Sequence, residues 1–144
     1  MAATAWSLYN KAKMYIGNGT IQLATTAVKM KLTTSASNAS TFTLSTFASI
    51  TNEISARGGY VAGGRALASL IWTTGASAKQ MKFNSADLVF TASGSALNNV
   101  KFAVIGVSGG KALCWSKLST SQFTITSPNT LTIQMNASGI FTMA

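Results

Sequence analysis

Short segments in which apolar and polar residues alternate occupy most of the chain after residue 27. The clearest is residues 28–33 (VKMKLT), which places three apolar side chains on one face and Lys29 and Lys31 on the other. This alternation predicts a half-buried strand with a basic outer face. Further strands are expected at residues 42–45, 66–73, 79–83, 87–92, 100–107, 112–117, 122–126, 130–135 and 139–143. Roughly eight to ten short strands predict an all-β fold, an antiparallel β-sandwich that is jelly-roll-like or immunoglobulin-like.

Residues 100–107 (VKFAVIGV) are apolar almost throughout, with Lys101 as the interruption. Such a run predicts a central strand that is covered on both faces. Residues 108–111 (SGGK) then predict a hairpin turn, and residues 112–117 its return strand.

The segment from residue 4 to residue 16 (TAWSLYNKAKMYI) is the only one with helical periodicity. Apolar residues recur there at helical spacing, with Thr4 as a candidate N-cap and Gly17 as a candidate end. A helix of this length needs a surface to pack on. We therefore expect one short N-terminal helix over one end of the β core, within a single domain of residues 1–144.

Residues 53–67 (EISARGGYVAGGRAL) contain the only glutamate, both arginines and two glycine pairs. Glycine permits a positive φ angle and the close approach of another backbone. The pairs therefore predict a shaped turn between strands, built on Gly58, Gly59, Gly63 and Gly64, with Tyr60 packed across it. The segment matches neither the phosphate-binding Walker loop nor a dinucleotide-binding fingerprint, because both require a helix that opens directly after the glycines.

Charged residues make up 9% of the chain, against roughly 25% in an average globular domain. Eleven lysines and arginines oppose only Glu53 and Asp87, which gives a net charge of +9. Such a charge attracts an anionic partner: nucleic acid, an acidic protein surface or anionic lipid. Strands with so few charges and one proline have little protection at their edges. We therefore expect those edges to be covered by a neighbouring protein in an assembly.

The residue types that most enzymes and metal sites use are scarce. The chain has no histidine and one cysteine, Cys114, in an apolar setting (ALCW) that predicts a buried side chain. A zinc site or a catalytic triad cannot be built from these residues. A glycosidase-like pair of Glu53 and Asp87 is the remaining enzymatic hypothesis, but a basic partner for each carboxylate is favoured over it. We therefore expect no enzymatic activity, no metal and no cofactor.

No apolar stretch is long enough to span a bilayer, and no secretory signal is evident, so no membrane association is expected. Nucleic-acid binding is the less favoured alternative. Aromatic residues Tyr60, Trp72 and Phe83 would then act as stacking platforms beside scattered basic residues. Those basic residues are Lys29, Lys31, Arg57, Arg65, Lys79, Lys82 and Lys101.

Residues 53–67, with Glu53, the Gly59-Tyr60 pair, the second glycine pair and Leu67, resemble a family of small virion proteins of tailed bacteriophages. The later order is also similar, with DLVFTA at residues 87–92, FAVI at 102–105 and GIFxxA at 139–144. The opening, a short helix followed by a strand, fits as well. Members of this family look like β-sandwich structural proteins, and small virion proteins of this kind include head decoration, or cement, proteins.

The resemblance implies a structural virion protein, with capsid decoration favoured and a tail or neck position as the alternative. It implies the major capsid protein or other virion proteins as partners, a dimer or trimer of this chain, and a place on the virion after synthesis in the bacterial cytoplasm. The chain departs from the family in being markedly basic. The candidate contact residues are Lys29, Lys31, Arg57, Tyr60 and Arg65.

Overall fold

The structure, a computed structural model, describes residues 5–23, 25–75, 79–136 and 139–143. Within these residues there are twelve strands, one α-helix and one 3-10 turn. The helix is α1 (Asn10–Gly17), and the 3-10 turn is Phe47–Ser49. The strands are β1 (Ser7–Leu8), β2 (Lys29–Thr33), β3 (Arg65–Ala66), β4 (Ile71–Thr74), β5 (Met81–Asn84), β6 (Leu88–Thr91), β7 (Leu97–Val100), β8 (Phe102–Gly106), β9 (Ala112–Lys117), β10 (Phe123–Ile125), β11 (Thr130–Ile133) and β12 (Phe141–Met143). The predicted all-β fold with one short helix is confirmed.

Strands β5 to β12 pair like one long hairpin folded over the core. The innermost pair is β8 with β9, followed outward by β7 with β10, β6 with β11 and β5 with β12, and every pair is antiparallel. A rolled hairpin with this nested order is the connectivity of eight-stranded jelly rolls. Of the two predicted topologies, the pairing therefore follows the jelly-roll-like one.

Strand β8 lies at the centre of a five-stranded sheet with the order β1-β9-β8-β2-β3. All five of its residues are buried. The expectation of a central strand covered on both faces is thus confirmed, because an uninterrupted apolar run can be desolvated on both sides of a sheet. The predicted hairpin to β9 is confirmed too, and the amide of Val107 donates to the carbonyl of Lys111 at 2.9 Å in its turn.

The other strands form a three-stranded sheet, β12-β5-β4, and two pairs, β10-β7 and β11-β6. At Lys101 the chain passes from β7 into β8 and so from one sheet to another. The Lys101 amide donates to the carbonyl of Thr33, and its carbonyl accepts from Leu118, both at 2.8 Å. Inward side chains of all the sheets join one hydrophobic cluster, including Leu32, Phe83, Phe90, Val104 and Leu113. The arrangement is sandwich-like, with this cluster as its shared core.

The N-terminal helix is shorter than predicted, because residues 7 and 8 belong to β1. Ser7 lies opposite Trp115 and Leu8 opposite Cys114, and the amide of Tyr9 donates to Leu113. Their backbone groups are therefore paired with β9 and not within a helix. The helix ends at Gly17, as expected, whereas the candidate N-cap Thr4 lies outside the described residues.

Three predicted strands differ in the structure. The one expected at residues 100–107 begins at Phe102, because Val100 belongs to β7 and residue 101 lies between the two strands. Residues 42–45 form no strand, and Phe42 is exposed. The expected strand at 66–73 is divided into β3 and β4, because Ser69 has a φ of 54° that an extended strand cannot contain. The two halves consequently belong to different sheets.

Candidate docking site at the central loop

Residues 53–65, here called the central loop, begin and end against the same edge of β2. Glu53 forms a β-bridge with Thr33, and Arg65 pairs with Met30 in β3. The amide of Ile54 also donates to the carbonyl of Leu32 at 3.0 Å. The chain between these anchors is therefore a compact surface loop whose two ends are close together.

The Tyr60 hydroxyl fills the gap between the two anchors. It accepts a hydrogen bond from the backbone amide of Leu32 at 3.1 Å and donates one to Oε1 of Glu53 at 2.6 Å. The same carboxylate oxygen accepts from the amide of Gly63 at 2.8 Å. One buried side chain thus takes the place of a strand partner for β2.

The environment of Tyr60 also sets its ionisation. Only 5% of the surface of Tyr60 is exposed to solvent. Burial raises the pKa of Tyr60 well above its usual value, and the hydrogen bond to the Glu53 carboxylate raises the pKa further. The phenol therefore remains a neutral donor to Glu53 throughout the physiological pH range.

All four predicted turn glycines have positive φ angles, between 61° and 93°. Two of them also allow a close backbone approach. A Cβ on Gly58 would collide with the carbonyl oxygen of Ser95, and one on Gly64 with that of Met30. The loop therefore lies directly on β2 on one side and on the segment before β7 on the other.

The predicted exposed basic face of β2 is wrong at Lys31. This residue is 8% exposed, and its Nζ donates to the carbonyl of Phe47 at 3.1 Å. The ammonium also lies 4.4 Å from the centroid of the Phe47 ring, a cation–π contact. Lys31 is thus held inside the protein by the 3-10 turn, whereas Lys29 is half-buried.

Of the five candidate contact residues, the structure buries Lys31 and Tyr60 and exposes Arg57 and Arg65. The ammonium of Lys31 and the hydroxyl of Tyr60 both have hydrogen-bond partners inside the protein, so neither polar group is available to a partner in this conformation. Tyr60 instead shapes the loop on which both arginines lie. This agrees with the other part of the sequence analysis, in which Tyr60 packs across the turn.

A cleft of about 310 Å³ opens between the central loop and strands β6 and β7. Its lining residues are Gly59, Tyr60, Val61, Gly64, Arg65, Phe90, Thr91 and Leu97. The rings of Tyr60 and Phe90 lie 5.9 Å apart at their centroids. We call it the Tyr60–Phe90 cleft. The sequence analysis did not identify Phe90 and Val61 as walls of this cleft, although the alternation in residues 87–92 (DLVFTA) is a signal that Phe90 shares an inward face with Leu88.

The rim of this cleft combines apolar and basic groups. Val61, one of the lining residues, is 69% exposed. The guanidinium of Arg65 donates to the carbonyl of Val89, which joins the loop to β6 across one end of the cleft. An apolar recess with an exposed apolar residue and a cation at its rim has the composition of a protein-docking site.

The two carboxylates have separate structural partners. Oδ1 of Asp87 accepts a hydrogen bond from the amide of Met135 at 2.7 Å, while Oε1 of Glu53 accepts hydrogen bonds from the Tyr60 hydroxyl and the Gly63 amide. Asp87 lines a different depression, with Gln134, Met135 and Asn136. We expected a basic partner for each carboxylate. In the described residues, the carboxylates instead accept hydrogen bonds from backbone amides and from the phenol of Tyr60.

Cys114 is fully buried in β9, where burial raises the pKa of its thiol well above the ordinary value. Its environment is that of a small core hydrophobe. Among the described residues, no three histidine, cysteine or acidic side chains come together as a possible metal site.

A second, more open cleft of about 590 Å³ lies between two outer strands. Residues 5–8, which include β1, form one side, and residues 139–142, which include part of β12, form the other. Each of these strands has one hydrogen-bonded neighbour among the described strands. Their other edges are available for pairing with another chain.

No protein-family profile matches the chain, and neither any curated protein nor any solved structure is significantly similar to it. In the portion of the chain that the structure describes, no helix has the length and apolar character needed to cross a membrane.

Proposed function

We propose that this protein is a structural component of a tailed-bacteriophage virion, a decoration or cement protein that binds the outer surface of the head and stabilises contacts between capsomers. Its partners are the major capsid protein or other virion proteins. It acts as a dimer or trimer on the virion after synthesis in the bacterial cytoplasm. A tail or neck position is the alternative within the same class.

The uncharged outer strands are the observation that carries this proposal. The strands β1 and β12 contain no charged residue, each lies at the end of its sheet, and residues of both line the open cleft between them. The outer strand β4 is equally uncharged and exposes Ile71. Free monomers usually protect such edges with charge, proline or bulges. Coverage by neighbouring proteins in a virion supplies the protection that the sequence lacks.

The charge distribution supports an acidic partner surface. The net charge is +9, and both carboxylates are occupied by groups of the same chain. The exterior field is therefore set by lysine and arginine, and it favours encounter with an acidic surface. An acidic outer capsid surface fits this requirement.

The fold adds a supporting analogy. Jelly-roll connectivity occurs in viral capsid proteins, and also in lectins and cupins. Fold analogy by itself does not assign a function. Here it agrees with the resemblance of the sequence to small virion proteins.

A comparison of particle stability tests this proposal. Many modest contacts reinforce a shell through multivalency, and a protein that binds only the assembled state stabilises that state. Virions with and without this protein are compared for rupture on heating and at low salt. Rupture of the depleted particles at lower temperature would support cementing, whereas equal thresholds in both conditions would remove that role.

Nucleic-acid binding is a second candidate, favoured by the net charge of +9. Two of its three candidate stacking platforms, Tyr60 and Phe83, are buried, so neither presents a free ring face in this conformation. The candidate predicts an affinity for DNA or RNA that falls steeply with salt through counterion release. Failure to bind either polymer at about 50 mM salt would dismiss it.

A further inference from the structure

We infer that the Tyr60–Phe90 cleft binds an acidic segment of another protein, in which one apolar side chain enters the cleft and a neighbouring carboxylate contacts Arg65. This names the chemistry of the partner at the surface used by the proposed function, and to that extent it rests on that function. The peptide-binding step can nevertheless be measured without any virion.

The walls of the cleft specify an apolar anchor. Tyr60 and Val61 line the cleft from the central loop, and Phe90 and Leu97 line it from strands β6 and β7, with the Tyr60 and Phe90 ring centroids 5.9 Å apart. The volume of about 310 Å³ is at the lower end of the range for small-molecule pockets, about 300–1,000 Å³. It suits one large aliphatic or aromatic side chain better than an extended ligand. Such an anchor in a desolvated recess typically carries much of the affinity of an interface.

The position of Arg65 specifies a carboxylate beside the anchor. A guanidinium has five N–H donors in a planar fork. One Arg65 nitrogen donates to the carbonyl of Val89, which holds the side chain at the end of the cleft. The remaining donors can form charge-assisted hydrogen bonds with an incoming carboxylate. Arg57 is exposed on the same loop and adds positive potential.

The loop itself offers no competing anion. Glu53 is the only glutamate, and its Oε1 is directed to Tyr60 and Gly63. Asp87, the other acid, accepts from Met135 and is not among the lining residues. For the same reason a second copy of this chain is a poor source of the carboxylate, since both of its acids have internal partners and each copy carries a net charge of +9. The acidic segment therefore belongs to a different protein.

A peptide also fits the cleft better than nucleic acid does. Base stacking requires an exposed aromatic face. Tyr60 and Phe90 are both buried, and their contact is with each other. Val61, the exposed apolar side chain among the lining residues, is aliphatic.

Three blocked peptides and one oligonucleotide serve as probes in amide chemical-shift titrations of the isotope-labelled full chain. The first peptide has the sequence Gly-Leu-Asp-Asp-Gly, the second has asparagine at both aspartate positions, and the third has alanine in place of leucine. A single-stranded thymidine 12-mer tests nucleic acid. The first peptide is expected to shift the amides of Val61 and Thr91 saturably, with a dissociation constant on the order of 1 mM.

The two control peptides separate the two parts of the inference. Loss of the apolar anchor should weaken binding by about tenfold or more, because a buried leucine side chain contributes strongly. Loss of the carboxylates should weaken binding by about three- to fivefold, as expected for an exposed ion pair. Equal affinities for all three peptides, or shifts spread over the surface, would overturn the inference. Saturable shifts around the cleft caused only by the 12-mer would replace the peptide with nucleic acid and also overturn it.

Matched variants test the location. Val61→Asp places an anion at the rim and should abolish binding of the first peptide, and Arg65→Gln should weaken it to the level of the asparagine peptide. Ile71→Asp and Lys11→Gln change exposed residues outside the cleft and should leave binding unchanged. The dispersion of the amide spectrum shows whether each variant is folded. If R65Q does not fold, V61D still tests the location of the binding site. Equal losses in the Ile71 and Val61 variants would place binding elsewhere.

Virion association of the same variants separates this inference from the proposed function. If the wild-type chain and V61D both join particles equally, the cleft inference fails and the virion role stands. If neither joins particles while the wild-type chain binds the acidic peptide, the virion role fails and the cleft inference stands.

Discussion

Tyr60 and Glu53 are joined by a 2.6 Å hydrogen bond that closes the central loop onto β2. The phenol donates to the carboxylate and at the same time accepts from the amide of Leu32 at 3.1 Å. This pair therefore joins the only glutamate of the chain to the edge of its main sheet. Tyr60 also forms part of the wall of the cleft in which we expect a partner to bind.

Replacing Tyr60 with phenylalanine should destabilise the protein by roughly 1–3 kcal/mol, because the Leu32 amide loses its partner inside the protein. The free energy of unfolding in urea measures this loss. Tyr15→Phe is the matched control, since that ring contacts Lys111 through its face and should keep the contact. A loss in Y60F no greater than in Y15F would show that the hydroxyl does not hold the loop.

The stability of the protein should fall at alkaline pH, with Tyr60 as one source. Its pKa in the folded protein is raised by burial and by Glu53, while the unfolded chain ionises near the usual pKa of about 10. The contribution is therefore complete below about pH 10 and is lost as the pH rises above it, because the unfolded state then releases protons that the folded state retains.

A comparison of the wild type with Y60F isolates this contribution from that of Tyr9, whose pKa is also raised by burial. Above about pH 10, the slope of unfolding free energy against pH should be less steep in Y60F by about 1.4 kcal/mol per pH unit. Urea unfolding between about pH 9 and pH 11.5 covers this window. Parallel slopes would contradict the buried, neutral phenol.

Gly64→Ala should be more destabilising than Gly63→Ala, although both residues have a φ near 90°. A Cβ on Gly63 meets no atom within 4 Å, so this variant reports backbone strain alone, about 1–3 kcal/mol. A Cβ on Gly64 would also collide with the Met30 carbonyl, which adds roughly 1–3 kcal/mol of overpacking. Thermal or urea unfolding gives the difference, and equal losses would show that the loop does not lie against β2 as described.

Lys31→Ala should cost about 2 kcal/mol or more, because it removes both a hydrogen bond from a charged group and a packed aliphatic stem. Lys29→Ala, on the same strand, should change the unfolding free energy by less than about 0.5 kcal/mol. Lys31→Met, which keeps the stem, should recover part of the loss. If the two alanine variants were equally stable, Lys31 would be a surface residue, as simple alternation predicted.

The contrast between Lys29 and Lys31 shows that the sequence could not predict which of the two lysines is buried. Alternation correctly placed both lysines opposite the apolar face of β2, but it carries no information about what covers the other face. In the fold, the 3-10 turn covers Lys31 and leaves Lys29 partly open. That contact joins residues 16 positions apart and depends on tertiary packing.

The sequence predicted where strands form better than it predicted which strands pair. The apolar run in β8 identified a central strand, because desolvation on both faces requires apolar residues at successive positions. Nothing in the local sequence states that β6 pairs with β11 or β7 with β10, since the segments joined are far apart in the chain. The break at Ser69 was missed for a different reason: a positive φ is unusual for serine.

For the candidate site, the glycines and arginines of residues 53–65 were identified from composition, but the cleft was not. Its opposite wall, Phe90 and Leu97, comes from strands that are remote in the sequence. Tyr60 was identified both as a packed residue and as a contact residue, and the fold supports the first role, because its hydroxyl is needed at the edge of β2.

We propose that the protein works by packing among other virion proteins, and electron cryomicroscopy of particles purified from a bacterial culture that produces it tests this proposal. We expect regularly repeated copies of this fold on the outside of the head, with the central loop or an outer strand edge against a neighbouring protein. Particles that carry no copies, together with a monomeric protein found only in the soluble fraction, would contradict it.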